Sequence, residues 1–420
     1  MSDRDWLFSL EHIGIKLGLD QIRALIAALG HPDRAYPSLV IAGTNGKGSV
    51  TAMVERGLRA AGYRTGRYTS PHLVALEERF AIDGQSIASA ELDRLATRIR
   101  LASAQLEHLP SFFEATTAIA LEYFRDARID VSVLEVGLGG RLDATNAVAS
   151  IAVAITAVDF DHEAYLGHTL PEIAGEKAGV IKPEGLVILG ENPDIVCDVV
   201  AGTATRQHAR LVYAPEGVSV EALMQDGQIV ATIRTPSASY DALRLGLRGR
   251  HQVANATVAI RLLEELHRTG HFRVGPEAIR TAVEDVTWPG RLEWTTWHGR
   301  DVLIDGAHNP AGARALAAYL REAVTGAVPC VIGAMRDKHV DDMIDALVPV
   351  ASAFVCTAAQ SPRALTPVEL LARANAIAPR IHAEAATSLT HALEIASRLG
   401  HPIVVAGSLY LAGEVRTLVS

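Results

Sequence analysis

Four short runs rich in β-branched and aliphatic residues, SLVIAG at 38–43, DVSVLEVG at 130–137, SIAVAIT at 150–156 and GLVILG at 185–190, are separated by stretches long enough for amphipathic helices. A strand with one wet face alternates apolar and polar residues, whereas a strand buried on both faces reads as a near-continuous apolar run. These runs therefore predict parallel strands joined by crossover helices. From about 208 to 248 the texture becomes alternating and turn-punctuated (LVYAPEGVSVEALMQDGQIVATIRT), which predicts antiparallel hairpins at the edge of the main sheet, closing a first domain. A second series starts after Trp288-Pro289-Gly290 with DVLIDGAH, VPCVIGAM, SAFVCTAA and PIVVAGS, each followed by a helical stretch. Four strands with helices between them make a compact unit of about 130 residues.

Length and composition narrow the function classes. A chain of 420 residues exceeds one ordinary core, so two domains are expected, residues 1–288 and 289–420, with the boundary near 288 to 300. With 49% hydrophobic and 21% charged residues the chain is compositionally globular, and a net charge of -9 argues against nucleic-acid binding through a broad basic surface. Cys197, Cys330 and Cys356 lie far apart with no CxxC pair, which suggests neither a disulfide framework nor a cysteine zinc site and fits a reducing cytoplasm. The first residues, MSDRDWLFSLEH, place Asp3, Asp5 and Glu11 where a signal peptide needs apolar residues, and no apolar run of about 18 residues occurs, so neither export nor a membrane span is expected.

The strongest chemical signal is Ile41-Ala42-Gly43-Thr44-Asn45-Gly46-Lys47-Gly48-Ser49, which ends an apolar strand and opens a helix expected over Val50 to Ala61. Glycines let backbone N–H groups curl around phosphate oxygens, Lys47 supplies a point charge, the helix N-terminus adds its dipole, and Ser49 can reach a magnesium ion. The strict GxxxxGK[ST] pattern fails, because Ile41 stands at its first glycine and Gly48 separates Lys47 from Ser49. The bland alternative is a glycine-rich turn with an incidental lysine. Further on, Glu135 ends a buried strand, where open α/β sheets bind their ligands and where a carboxylate suits magnesium. His162 follows a strand beside Asp159 and Asp161; it suits a metal ligand, and equally a helix cap or a surface group.

GTNGKGS, SPHL at 70–73, EVGLGGRLDATN, DHxxxLG, EKAGVIK, HQxxNxxxA from His251, PGRLE at 289–293, DGAHNPAG at 305–312, GAMRDKH at 333–339 and GSLYLAGEVR at 407–416 occur in one order from about Lys16 to Arg416. In that order the chain resembles the Mur ligase family, and within it the folate branch of dihydrofolate synthases and folylpolyglutamate synthases. The resemblance implies an α/β fold: a large P-loop nucleotide-binding domain with a mostly parallel sheet plus antiparallel edge strands, and a smaller Rossmann-like C-terminal glutamate-ligase domain. It implies an ATP-dependent ligase that activates a pteridine acid, dihydropteroate or a reduced folate, as an acyl phosphate and joins it to L-glutamate, acting as a monomer.

Carried over residue by residue, the resemblance makes Gly43, Thr44, Asn45, Gly46, Lys47, Gly48, Ser49, Asn255, Arg291 and Asp305 the ATP-contacting positions. It makes Ser49, Glu135, His162 and a carboxylated Lys177 the magnesium positions. Lys47, Lys177 and His308 take catalytic roles, with His308 and Ser408 linked to glutamate. His72, Arg79 and Phe113 match the region that receives the pterin and its aminobenzoyl tail, and Asp143 is carried over as a further substrate position. Two of these keep bland readings on residue type alone: Lys177 as a lysine salt-bridged beside Glu176, and Phe113 as a core residue. One departure stands out, since Ala75 takes a place after SPHLV where folate enzymes often carry arginine. Two other readings compete. A cell-wall Mur ligase would carry a UDP-binding domain ahead of the loop, where only 42 residues precede Gly43. A nucleotide-hydrolysing regulatory module would not need the second-domain motifs.

Overall fold

The computed structural model describes residues 2–14 and 16–419. An eight-stranded sheet runs in the order Gln85–Ser86, Phe80–Ile82, Thr65–Tyr68, Val131–Glu135, Ser38–Ala42, Ser150–Ile155, Leu186–Leu189, Arg210–Tyr213. The last six of these pair in parallel, and Phe80–Ile82 and Gln85–Ser86 add the antiparallel edge. All four of the expected runs are buried strands of this sheet. One apolar cluster covers each of its faces, with Leu39 and Ile41 turned to one side and Val40 and Ala42 to the other, as the period-two geometry of a strand requires.

The segment 208–248 behaves differently from expectation. Arg210–Tyr213 joins the parallel sheet beside Leu186–Leu189, while Ser219–Gln225, Gln228–Arg234 and Ser239–Arg244 form a separate three-stranded antiparallel sheet. Ile229, Ala231 and Ile233 turn one face of this sheet into the core shared with the helices His251–Arg268 and Lys47–Ala60. Burying that face against helices, not against another strand edge, is what separates the hairpins from the main sheet.

A six-stranded sheet follows, ordered Glu293–Trp297, Arg300–Ile304, Ile403–Ala406, Val328–Ile332, Ala351–Cys356, His382–Ala385. Only Glu293–Trp297 is antiparallel to its neighbour. The four expected strands form its centre. The two edge strands, EWTTW and HAEA, carry polar residues at partly exposed positions and so lack the apolar signature. Among the described residues no helix is long and apolar enough to cross a membrane.

The strand Ser38–Ala42 lies between Val131–Glu135 and Ser150–Ile155, with Ile41 level with both Glu135 and Ala154. Strand order departs from chain order here, so the loops after these three strands leave in different directions and open a crevice at their carboxyl ends. The second sheet presents Asp305, at the end of its own strand Arg300–Ile304, to the same crevice.

Candidate active site

The phosphate loop is pinned to its neighbour before any ligand is considered. The amides of Thr44 and Asn45 both donate to the Ala157 carbonyl, at 2.8 and 3.2 Å, and the Thr44 hydroxyl bonds the Asp159 backbone. Gly43 and Gly46 have φ of 143° and 89°, and a side chain there would collide with Thr156 and Asn255 respectively. With two loop amides committed, the donors that face the cavity are the first-turn amides of the helix, which starts at Lys47, three residues before the expected Val50. Lys47 Nζ rests on the carbonyls of Gly43 and Thr44, both at 3.1 Å.

A cavity of about 550 Å³ joins this loop to Glu135, His162, Lys177, Asn255, Arg291, Asp305 and His308. Burial raises the Glu135 carboxyl above its ordinary value, opposed by Lys47, and burial likewise lowers Lys47, opposed by Glu135. Lys177, only 3% exposed, is lowered to about 7 by burial and then by Lys47. It donates to the Gly43 carbonyl at 2.8 Å, whereas Glu176 bonds Arg141 at 2.7 Å, so the reading of Lys177 as a partner of Glu176 is corrected. His162 does occupy a helix N-cap position, but its side chain makes no capping bond and faces the cavity. Asn255 donates to Gln252, and Gln252 to the Ser49 hydroxyl, fixing that hydroxyl at the loop.

The second sheet closes the cavity from the other side. Asn309 donates to Asn45 at 3.0 Å and to Asp161 at 3.3 Å. Lys338 meets Asp161 at 2.5 Å with both side chains 7% exposed. Burial pushes Asp161 up, but His162, Lys338 and His308 outweigh it and hold the carboxyl well below the usual carboxylate range. Burial and then Lys338 lower His308 to about 4, so its imidazole is neutral near pH 7. His308 Nδ1 lies 2.8 Å from the Gly306 carbonyl, which can only accept, so the proton sits on Nδ1, and Nε2 lies 3.7 Å from Asp161 Oδ2. Asp305 accepts from the amides of Leu292 and Ala307, tying the Arg291 turn to the end of its strand.

Five expected substrate residues do not line this cavity. His72 lies in an adjoining chamber of about 200 Å³, where its Nδ1 accepts from Arg79 Nε at 3.0 Å. Burial and then Arg79 lower His72 to about 4, and Arg79 in turn lies over the Phe112 ring. Phe113 packs against Gly137 and Tyr68. Both oxygens of Asp143 accept local bonds, from Gly137, Leu138 and Thr145, which shapes the loop after Glu135. Ser408 is buried and its hydroxyl accepts from the Tyr410 amide, starting the last helix. Sequence reasoning assigned no role to Asn309 and Lys338, although both stand in quoted motifs, DGAHNPAG and GAMRDKH; the signal was present, the partner across the cleft was not.

A phosphate loop, a buried carboxylate and a buried lysine under one sheet, closed over by a second α/β sheet, define a two-domain P-loop protein. The model of the Mur ligase middle domain matches residues 41–263, and that of the Mur ligase glutamate ligase domain matches 290–409. The dihydrofolate synthase/folylpolyglutamate synthase of Bacillus subtilis is 32% identical over 98% of this chain and 97% of its own. Folylpolyglutamate synthase of Mycobacterium tuberculosis, solved with ADP and AMPPCP, superposes with a TM-score of 0.91 at 36% identity, covering 100% of this chain and 99% of that one. A bifunctional folylpolyglutamate synthase/dihydrofolate synthase solved with Mn, AMPPNP and L-glutamate gives 0.86 at 29% identity, covering 99% and 98%. This chain belongs to the Mur ligase family, in its dihydrofolate synthase/folylpolyglutamate synthase group.

Proposed function

We propose that the chain is an ATP-dependent ligase that activates the carboxylate of dihydropteroate or a reduced folate as an acyl phosphate and joins it to the amine of L-glutamate. The supporting observation is the convergence of Lys47, Glu135 and Lys177 from one sheet with Arg291, Asp305 and His308 from the other on a single cavity. We read residues 1–288 as the ATP-binding domain and 289–420 as the glutamate-ligase domain, acting in the cytoplasm.

ATP seats its phosphates on the first-turn amides after Gly46, and Lys47 leaves the carbonyls of its own loop for a phosphate oxygen. The acceptor carboxylate then attacks the γ-phosphorus, ADP departs, and Arg291 and Lys47 balance the charge spread over the transferring group. The glutamate amine attacks the acyl carbon, the tetrahedral intermediate collapses, and phosphate leaves with one former carboxylate oxygen. His308, neutral near pH 7 with its Nε2 beside Asp161, orients that amine. The interdomain bonds of Asn309 and Lys338 keep water from the acyl phosphate.

The Ser49 hydroxyl and Glu135 carboxylate offer the oxygen ligands a small hard cation such as magnesium takes, and the His162 imidazole would stand beside them as a borderline nitrogen ligand. Among the described residues there is no cluster of three or more His, Cys, Asp or Glu able to hold an ion alone, and a magnesium ion held by these side chains would need further oxygen ligands. Magnesium bound there would neutralise phosphate charge. A lysine lowered to about 7 has a substantial neutral fraction at physiological pH and can react with carbon dioxide, so Lys177 as a carbamate would supply a further ligand.

Incubation with ATP, magnesium and labelled L-glutamate, offering dihydropteroate and tetrahydrofolate separately, tests the reading. Label should enter at least one acceptor only when ATP is present; ATP hydrolysis indifferent to both glutamate and acceptor would overturn it.

A further inference from the structure

The helix Pro310–Ala323 of the second sheet meets the other half of the molecule near both of its ends. At its start the N-cap Asn309 donates to Asn45 and Asp161, and His308 stands one residue earlier in the nucleotide cavity. Toward its other end Tyr319 is 2% exposed; its hydroxyl donates to the Gly227 carbonyl at 3.3 Å and accepts from the Trp294 indole N–H at 2.8 Å. Gly227 lies at the tip of the hairpin joining Ser219–Gln225 to Gln228–Arg234, where Asp226 and Gly227 take φ of 52° and 71°, as a tight two-residue hairpin turn requires. A side chain at Gly227 would stand 3.3 Å from the Tyr319 hydroxyl, so turn and helix meet closely. Three residues on, Glu322 accepts from Arg250 Nε on both oxygens, at 2.8 and 2.9 Å, and Arg250 also donates to the Ala222 carbonyl of the same hairpin at 3.3 Å. Met224 packs against the cores on both sides of this contact.

We propose that the three-stranded sheet is the seat of this helix, and that Tyr319 and Arg250 are positioning residues that set His308 and Asn309 over the phosphate loop; the effect on turnover rests on the ligase reading above. A helix rises about 1.5 Å per residue, so Asn309 lies roughly 15 Å from Tyr319, and a tilt of about 4° at the seat carries the helix start about 1 Å. A misplacement of about 1 Å can cost roughly 100-fold in rate. Tyr319 and Glu322 are three residues apart and share a helix face, so together they fix a tilt that one contact would leave free. An ion pair as exposed as Arg250–Glu322 adds little stability, and what it supplies is direction. Trp294 follows Arg291 by three residues and ties the same point to the connection between the two sheets. The strands that leave the main sheet thereby gain a task in the reaction.

Hydrogen exchange and steady-state kinetics on the full chain compare wild type with Tyr319→Phe, which keeps the ring and removes the hydroxyl, and with Arg250→Glu, alone and joined to Glu322→Arg. The amides of Gly312 and Ala313 bond the Asn309 side-chain oxygen and carbonyl, and exchange there reads opening of the helix start. In both single variants they should exchange roughly tenfold faster, while the amides of the central strand Val328–Ile332 keep their wild-type rate. With ATP, magnesium and L-glutamate, kcat should fall roughly tenfold, the effect of a shift of about half an ångström, while the KM for the pteridine acid stays within twofold. Joining Glu322→Arg to Arg250→Glu should restore most of both losses, and a double variant no better than Arg250→Glu overturns the role of that pair. Unchanged exchange at Gly312 and Ala313, or a kcat within twofold of wild type in either single variant, overturns the assignment. Faster exchange spread evenly over the second sheet overturns it too, since a merely stabilising contact gives that pattern. Exchange needs no turnover: a wild-type chain that incorporates no glutamate overturns the ligase reading, and the amides still decide the seat.

Discussion

Lys177 Nζ donates to the main-chain carbonyl of Gly43 across 2.8 Å, tying a buried amine to the first residue of the phosphate loop. The bond links the helix Leu170–Ala178 to the strand Ser38–Ala42, and it holds a reactive nitrogen beneath the nucleotide cavity.

The sign of its pH dependence follows from burial. Lys177 is lowered to about 7 from an ordinary 10.5, so between those values the unfolded chain holds a proton that the folded chain has released. Stability contributed by this site therefore rises with pH across that window. Denaturant titrations in carbon-dioxide-free buffer should show the rise in wild type and lose it in Lys177→Met. Activity of that variant should fall by roughly 100-fold, the scale seen when one group stabilising transition-state charge is removed.

The Lys338–Asp161 pair should hold the two sheets together over the cavity. Removing one member of an enclosed pair costs about 3–5 kcal/mol because the other is left uncompensated. Lys338→Met is expected to lower the unfolding free energy by about that scale and to enlarge the radius of gyration in X-ray scattering. Adding Asp161→Asn should recover part of the stability without recovering activity, which a double-mutant cycle would read.

Gly46→Ala places a methyl group at φ 89° against the Asn255 side chain. The backbone strain alone is about 1–2 kcal/mol, and the loop must shift to relieve the clash. The KM for ATP should rise at least ~10-fold, taking about 1.4 kcal/mol per tenfold, with folding retained by circular dichroism.

The phosphate loop, the buried strands and Glu135 were legible from local patterns, glycines before a lysine or a charge ending an apolar run, whereas Lys177, Arg291 and Asp305 were reached only through the family resemblance. What was not legible depends on partners far along the chain. Nothing in IVATIRT states that Ile229 and Ile233 face helices and leave the main sheet, and EWTTW hides an edge strand behind polar residues. Ser408 and Asp143 carry residue types that suggest ligand contact, yet their oxygens are taken up by neighbouring amides.

His72 should stay neutral throughout the working range, since burial and Arg79 lower it to about 4. Its imidazole resonances are expected to be constant from pH 5.5 to 8 by NMR, whatever the acceptor. Arg79→Lys, which gives up both the His72 bond and the Phe112 contact, should raise the KM for the pteridine acid by roughly tenfold, or about 1.4 kcal/mol.

The central claim is that the acceptor carboxylate is phosphorylated before glutamate is joined to it. Acceptor labelled with ¹⁸O in its carboxylate, turned over with ATP, magnesium and L-glutamate, reads this in one measurement by mass spectrometry of the released phosphate. The account predicts one ¹⁸O in phosphate for each amide formed. Phosphate that carries no ¹⁸O, released at the same rate with and without acceptor and glutamate, would contradict it.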